Sequence, residues 1–208
     1  MAVERFTMKN YTQKQLDQAA LALNNHEILL IPTDTVYGVG VLFGSLQDLD
    51  RLKNIKHRPE TKPIPLMASS VEMLSTVVEF DERAAKAAQK LLPGALTMIL
   101  PLRKDVDSAL FNHLSTAAVR IPDEPAVLEL IEKTGCPLFV SSANVSGEPA
   151  ALNAQEAKKA LPAADGIVEG SCANQQASTI ADFTQKEIKI LRPGPIQYEE
   201  ILDAVKMS

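Results

Sequence analysis

Residues Glu27–Gly40 read EILLIPTDTVYGVG. The apolar run Ile28–Ile31 meets Pro32, then the polar cluster Thr33-Asp34-Thr35, then Tyr37 and two glycines, Gly38 and Gly40. Apolar residues bounded by Pro and Gly read as a buried strand that runs out into a loop. In an open α/β sheet, ligands sit at the carboxyl ends of the strands. Hydroxyls and a carboxylate placed directly after a core strand are poor packing material and good binding material. The plainer alternative is a turn whose Thr and Asp satisfy their own backbone.

Upstream, Leu16, Ala19, Ala20 and Leu23 recur at helical spacing within Thr12–Asn25, and Asn24-Asn25 would stop that helix. Downstream, Val39–Phe43 reads as a second short strand. Ser45 and Asp48 form a variant capping box ahead of a helix over Leu46–Ile55. That helix runs into Lys53, Lys56, His57 and Arg58, where Pro59 prevents regular continuation. Cations suit a helix C-terminus, so a solvated helix end is the structural alternative for Lys56 and Arg58.

Farther along, strands are expected over Pro63–Ala68, Leu96–Pro101, Ala117–Ile121 and Pro137–Ser141, then Ile167–Val168, Thr179–Phe183 and Ile188–Leu191. Helices are expected over Ser70–Val77, Asp81–Leu92 with Asp81 as N-cap, Pro125–Thr134, Ala154–Leu161 and Gln197–Val205. Arg103–Ser115 shows no clear period and reads as a loop with a short helix. The last two strands would pair as a hairpin through Thr184–Lys186. Alternating strands and helices give an α/β class with a mixed sheet, and no linker divides residues 1–208 into more than one domain.

The composition, 46% hydrophobic and 23% charged over 208 residues, is that of a soluble globular chain able to bury a core. Cys136 and Cys172 show no paired metal or redox spacing, which suggests a reducing compartment. No apolar run approaches membrane-spanning length, and residues 1–15 lack the apolar core of a signal peptide, so a cytoplasmic protein without membrane contact is expected. The net charge of −5 argues against broad nucleic-acid binding, though not against a local basic cavity.

There is no Walker loop and no GxGxxG after a strand, so a nucleotide site would have to be built from side chains. The informative residues are polar groups that interrupt apolar segments. These are Thr33 and Asp34, Lys56 and Arg58 with Lys62, Thr116 with Arg120, Ser142 with Asn144, Ser178 with Thr179, and Arg192. Arg120, in the middle of AAVRIP, needs a partner: either a structural ion pair or a bound carboxylate or phosphate. Ser142-Ala143-Asn144 follows the strand PLFVS, where an Asx-type turn is the plain reading. Ser142 has no GxSxG context, and His26, His57 and His113 have no visible base role. Asp34 and Asp182 show no metal-site spacing, and Cys136 reads as buried and inert.

Together these segments resemble the YrdC-like family of threonylcarbamoyl-AMP synthases. The resemblance rests on PTDTVYGVG (Pro32–Gly40), KHRP with the following KP (Lys56–Pro59, Lys62-Pro63) and PGALTMIL (Pro93–Leu100). It continues in AVRIP (Ala118–Pro122), SSANVSG (Ser141–Gly147), STIADF (Ser178–Phe183) and LRPGP (Leu191–Pro195), covering almost the whole chain. It implies a twisted mixed sheet flanked by helices around a deep basic cavity. It also implies a reaction: L-threonine, bicarbonate and ATP give L-threonylcarbamoyladenylate and pyrophosphate. Separate transfer proteins then use that product to make N6-threonylcarbamoyladenosine in tRNA.

Carried onto this chain, the resemblance makes Lys56 and Arg58 the triphosphate clamp and has Ser142 and Asn144 hydrogen-bond phosphate or threonine groups. It puts Thr116 and Arg192 on the nucleotide, and Thr33, Arg120 and Ser178 on threonine. Mg2+ would enter with ATP, mostly through phosphate oxygens and water, and no dedicated metal cage is visible.

Two positions depart from the family pattern: Met67 stands where some members carry His, and Ala177 where Glu or Pro is frequent. The chain resembles the short, single-domain form. Two other readings remain open at this level. One is a nucleotide or double-stranded RNA binding module of the same fold without turnover. The other is a related carbamoyl-adenylate enzyme like the YrdC-like domain of hydrogenase-maturation carbamoyltransferases, whose zinc-finger and acylphosphatase-like segments are missing here.

Overall fold

The computed structural model describes residues 8–59, 61–173 and 176–206. The part of the signal-peptide reading that rests on residues 1–7 lies outside them. Ten strands form one mixed sheet among the described residues. In chain order they are β1 (Lys9–Tyr11), β2 (Leu29–Ile31), β3 (Gly38–Leu42), β4 (Leu66–Met67), β5 (Leu96–Pro101), β6 (Thr116–Arg120), β7 (Leu138–Ser142), β8 (Gly166–Val168), β9 (Thr179–Asp182) and β10 (Lys189–Arg192). Across the sheet the order is β1-β8-β2-β3-β7-β4-β6-β5-β9-β10. The pairs β1–β8, β2–β8, β4–β6 and β5–β9 are parallel, and the rest are antiparallel. The helices are α1 (Leu16–Asn24), α2 (Leu46–Ile55), α3 (Val71–Ser75), α4 (Glu82–Leu91), α5 (Pro125–Thr134), α6 (Ala154–Ala160) and α7 (Tyr198–Lys206). The mixed α/β class is as expected.

Side chains alternate across a strand, so parity along each strand tells which face a residue serves. Leu30, Val39, Val41, Leu66, Met98, Val119 and Phe139 join one core with Leu49 and Leu52 of α2, Ala84, Ala87 and Ala88 of α4, and Ile201 of α7. Their strand neighbours Leu29, Ile31, Leu138 and Val140 join a second core with Leu16, Ala19, Ala20 and Leu23 of α1 and Val127, Leu130 and Ile131 of α5. Each fully buried Leu or Ile contributes roughly 1.5–3 kcal/mol through the water-exposed surface it removes. The two faces are covered unequally. The second core reaches only as far as Met67 of β4, and on β6, β5 and β9 the same parity carries Ala118, Arg120, Thr97, Ile99 and Ile180. These residues line a cavity instead of meeting a helix.

Several boundaries differ from expectation for local reasons. The strand expected over Pro63–Ala68 shrinks to Leu66–Met67, since Pro63 and Pro65 have no N–H for a ladder. The first helix opens with a 3-10 turn, Gln13–Gln15, held by a Thr12–Gln15 capping box, before α1 begins. Ser45 Oγ accepts from Asp48 N (3.2 Å), but the Asp48 carboxylate does not return the bond to the cap. It pairs with His26 Nδ1 (2.6 Å) and Arg51 (3.5 Å). Asp81 caps α4 as expected, accepting from Ala84 N at 2.8 Å. Strand β1 was not foreseen. The β9–β10 hairpin forms, with its register broken between Ile190 and Arg192.

Candidate active site

The cavity occupies about 390 Å³ on the uncovered part of the sheet. The loop after β2, the segment after α2, and strands β3 to β7 and β9–β10 all contribute to its wall. Four cations line it, Arg58, Lys62, Arg120 and Arg192, and no carboxylate is part of the lining among the described residues. Of the residues singled out in the sequence, Thr33, Arg58, Arg120, Ser142, Ser178 and Arg192 are brought together here. Lys56, Asn144 and Thr116 are not in the lining. Thr116 shares its face of β6 with Ala118 and Arg120 but lies beyond the cavity edge.

The β2–β3 loop is both a self-satisfied turn and a cavity wall. Thr33 Oγ1 donates to Val36 O (2.6 Å) and accepts from Thr35 N (3.2 Å) and Val36 N (3.3 Å). Tyr37 anchors the loop from below, its hydroxyl donating to Val168 O at 2.8 Å. Gly38 is required by crowding: a Cβ there would come within 2.7 Å of Val140 Cγ1.

Arg120 has the partner its position demanded. Nη2 donates to both Asp34 oxygens (2.7 and 2.6 Å), Nη1 to Thr35 Oγ1 (2.8 Å), and Nε to Gly94 O (3.0 Å). Both members of the pair are buried. A guanidinium has five N–H donors, and four are committed here, leaving one on Nη1 for a ligand. The two readings of Arg120 are therefore not exclusive: the ion pair exists, and the arginine still lines the cavity. Burial raises the Asp34 pKa and Arg120 pulls it back. For Arg120, burial favours proton loss, the Asp34 charge opposes it, and nearby Arg192 adds to it.

Arg58 is held differently. Nε donates to Lys62 O (3.1 Å) and Nη2 to Pro63 O (2.8 Å), and no carboxylate pairs with it among the described residues. Arg192 likewise turns onto Ser178, donating to its carbonyl from Nε (3.0 Å) and Nη2 (2.8 Å) and to its Oγ (3.1 Å). Ser178 Oγ also shares a 2.8 Å hydrogen bond with Thr97 Oγ1. Burial lowers the pKa of both arginines. Both guanidiniums are thus positioned by backbone oxygens and keep uncompensated charge among the described residues.

Lys56 and Asn144 form the support behind Ser142. Lys56 is buried at the C-cap of α2, and its ammonium donates to Ser142 O, Asn144 O (2.7 Å) and Asn144 Oδ1 (3.4 Å). Its own carbonyl accepts from Ser146 N at 2.8 Å. Asn144 Nδ2 donates to Val145 O (2.9 Å) and Glu148 O (2.7 Å), and its Oδ1 accepts from Ser142 Oγ (2.5 Å). Burial, with Arg58 adding, pushes the Lys56 pKa down to about 8.

Two contributors escaped the sequence reading: Thr97, and Asp34 as the partner of Arg120. In LTMILP the signal for Thr97 was parity, since it opposes the core residues Leu96 and Met98. Asp34 had no such signal, because 86 positions separate it from Arg120.

A family model for Sua5, YciO and YrdC, described as telomere recombination, matches residues 21–194. The chain belongs to the Sua5/YciO/YrdC family. It is 33% identical over 191 residues to the threonylcarbamoyl-AMP synthase of Bacillus subtilis, a match covering 90% of this chain and 55% of that protein. The crystal structure of Pyrococcus abyssi Sua5 complexed with L-threonine is similar with a TM-score of 0.89 at 29% identity, over 96% of this chain and 61% of that one. Escherichia coli YciO shares the fold, with a TM-score of 0.86 at 23% identity over 94% of this chain and all of that one. The chain thus spans little more than half the length of the Bacillus relative. No described helix is long and apolar enough to cross a membrane.

Proposed function

We propose that this chain is an L-threonylcarbamoyladenylate synthase, a nucleotidyltransferase acting on L-threonine, bicarbonate and ATP. The observation that carries this reading is the cavity wall: among the described residues it has four cations and no lining carboxylate, set beside the hydroxyls of Thr33, Ser142 and Ser178. Such a wall suits a polyphosphate together with a small hydroxylated acid. The relatives named for this activity, and a family member that binds L-threonine, support it.

The chemistry has two steps. The neutral threonine amine attacks the bicarbonate carbon, and water leaves to give a carbamate. A carbamate oxygen then attacks the α-phosphorus of ATP while the bond to the bridging oxygen breaks, and pyrophosphate departs. Charge grows on that leaving group, so catalysis is mostly positioning and neutralisation. Arg58, with Lys62 and Arg192, would hold the triphosphate, and Ser142 would sit beside it. Thr33, Ser178 and the remaining Arg120 N–H would hold threonine, Arg120 through its carboxylate. Lys56 and Asn144 would serve the same site from behind Ser142. Thr116 would reach the nucleotide only where it extends past the cavity edge.

Mg2+ would enter with ATP and neutralise phosphate charge; among the described residues the lining offers no carboxylate cage of its own. As one YrdC-like domain over residues 1–208, the chain would work in the cytoplasm and hand its product to tRNA threonylcarbamoyl-transfer proteins; titration with tRNA tests for RNA contact of its own.

The test is pyrophosphate release from ATP and Mg2+, with threonine and bicarbonate omitted in turn. Release that requires both is the expected result. Release without threonine points to another acceptor, and ATP binding without release points to a binding module.

A further inference from the structure

The hydroxyls of Thr33, Thr35, Thr97 and Ser178 line the cavity and are joined in two short chains. In the first chain every hydroxyl proton is spent. Thr33 Oγ1 meets Val36 O at 2.6 Å, and a carbonyl can only accept, so the Thr33 proton goes there. Thr35 Oγ1 accepts from Arg120 Nη1 at 2.8 Å and gives its own proton to Thr33 Oγ1 at 3.0 Å. This chain ends on the loop's own carbonyl and offers an occupant no hydroxyl proton.

The second chain is open. Ser178 Oγ accepts from Arg192 Nη2 at 3.1 Å, and Thr97 Oγ1 lies 2.8 Å from it. Both residues are buried, and the Thr97 hydroxyl has no other protein partner among the described residues. Two hydroxyls carry two protons, and one of these lies between them, so the other points at the cavity. Charge decides which oxygen carries it. An oxygen that receives a bond from a guanidinium is polarised, and a second received bond polarises it further, so its own proton becomes the stronger donor toward an anion. That arrangement has Thr97 donating to Ser178 and the Ser178 proton facing outward. The reverse order would put the outward proton on Thr97, one bond further from Arg192. Thr97 stands in register with Ile180 on the sheet face it shares with Ile99. An apolar β-branched side chain would fit that place, so its hydroxyl answers to Ser178.

We propose that Thr97 is a positioning residue: by donating to Ser178 Oγ it turns the Ser178 hydroxyl into an outward donor for an anionic oxygen of the cavity's occupant. This rests on the reading that puts threonine beside Ser178 and Arg120, and the acceptor is then the threonine carboxylate. Arg192 completes the arrangement by holding the Ser178 carbonyl from Nε (3.0 Å) and Nη2 (2.8 Å), which keeps the serine from turning away.

The test is calorimetric titration of the full chain with L-threonine and, separately, with ATP. The proteins are the wild type, Thr97→Val, Thr97→Ser, Ser178→Ala and the double variant Thr97→Val with Ser178→Ala. Thr97→Val keeps the shape and removes the hydroxyl. It should weaken threonine about tenfold, as loss of a hydrogen bond to a charged group does, and leave ATP within about twofold. Thr97→Ser restores the hydroxyl and should restore threonine binding. Ser178→Ala should lose at least as much threonine affinity as Thr97→Val. The double variant should be no weaker than Ser178→Ala, because Thr97 acts through Ser178.

A Thr97→Val protein with wild-type threonine affinity overturns the proposal, as does one that loses both ligands alike. A Thr97→Ser protein no better than Thr97→Val makes Thr97 a packing residue and overturns it too. A larger loss in Thr97→Val than in Ser178→Ala puts the outward proton on Thr97 and overturns the assigned direction. Should Thr97→Val fail to fold, Thr97→Ala removes the same hydroxyl and is read in its place. Pyrophosphate release is measured separately. The expected binding pattern without turnover refutes the synthase reading and leaves the Thr97 assignment standing, and turnover with an unaffected Thr97→Val does the reverse. A wild type that binds no threonine overturns both.

Discussion

Arg120 and Arg58 line the same cavity and are held in opposite ways. Arg120 is buried, meets both oxygens of Asp34, and has one N–H left. Arg58 is held by two backbone carbonyls and keeps its charge uncompensated among the described residues. A carboxylate partner makes an arginine part of the frame, and a carbonyl partner aims it without neutralising it. The backed arginine suits a singly charged acid that must leave after reaction. The unbacked one suits a polyphosphate whose charge increases along the reaction.

The largest effect that follows concerns Arg58. Arg58→Ala should lower pyrophosphate release by about 10²–10³-fold, the usual cost of removing one pre-aimed donor from a developing charge. Its thermal midpoint should stay near that of the wild type, since only two backbone contacts are lost. Normal release would remove Arg58 from the mechanism and erase the contrast.

Asp34→Asn should do the reverse. It leaves a buried guanidinium unpaired, and the expected cost is about 3–5 kcal/mol in urea unfolding. A stable Asp34→Asn protein would mean that Arg120 does not depend on its partner. Arg120→Ala should be milder in its ligand effect than Arg58→Ala and selective, with threonine weakened more than ATP in separate titrations. Equal weakening of both would make Arg120 wholly structural.

The most gradual effect concerns Lys56. Its folded pKa is lowered to about 8 from the ordinary 10.5. Between those values the unfolded chain holds more protons, so this group makes stability rise with pH, by at most about 1.4 kcal/mol per pH unit. Below pH 8 both states are protonated and its contribution is flat. Denaturation curves from pH 7 to 10.5 should show that rise in the wild type and not in Lys56→Met.

The same contrast explains what could be read from the sequence. Helices α2 and α5 and strand β5 match expectation residue for residue, because caps, Pro and periodicity are local signals. Strand β1, of sequence KNY, carries no such pattern and exists through its parallel pairing with β8, more than 150 residues away. Arg58, Ser142 and Ser178 were legible as polar breaks in apolar segments. What Lys56 and Asn144 do was not, because it depends on where an ammonium and an amide point after α2 and the β7 loop have come together. Asp34 was seen as a loop carboxylate, and only the folded chain shows it beneath Arg120.

The cavity wall begins at Thr33 and ends at Arg192, so an occupant that fills it touches segments far apart in the chain. A molecule bound there acts as a removable stitch between distant parts of the polypeptide. Its binding adds to resistance against unfolding and proteolysis by an amount that grows with free ligand over the dissociation constant. Substrate supply would then set not only how fast this protein works but how long each copy of it survives.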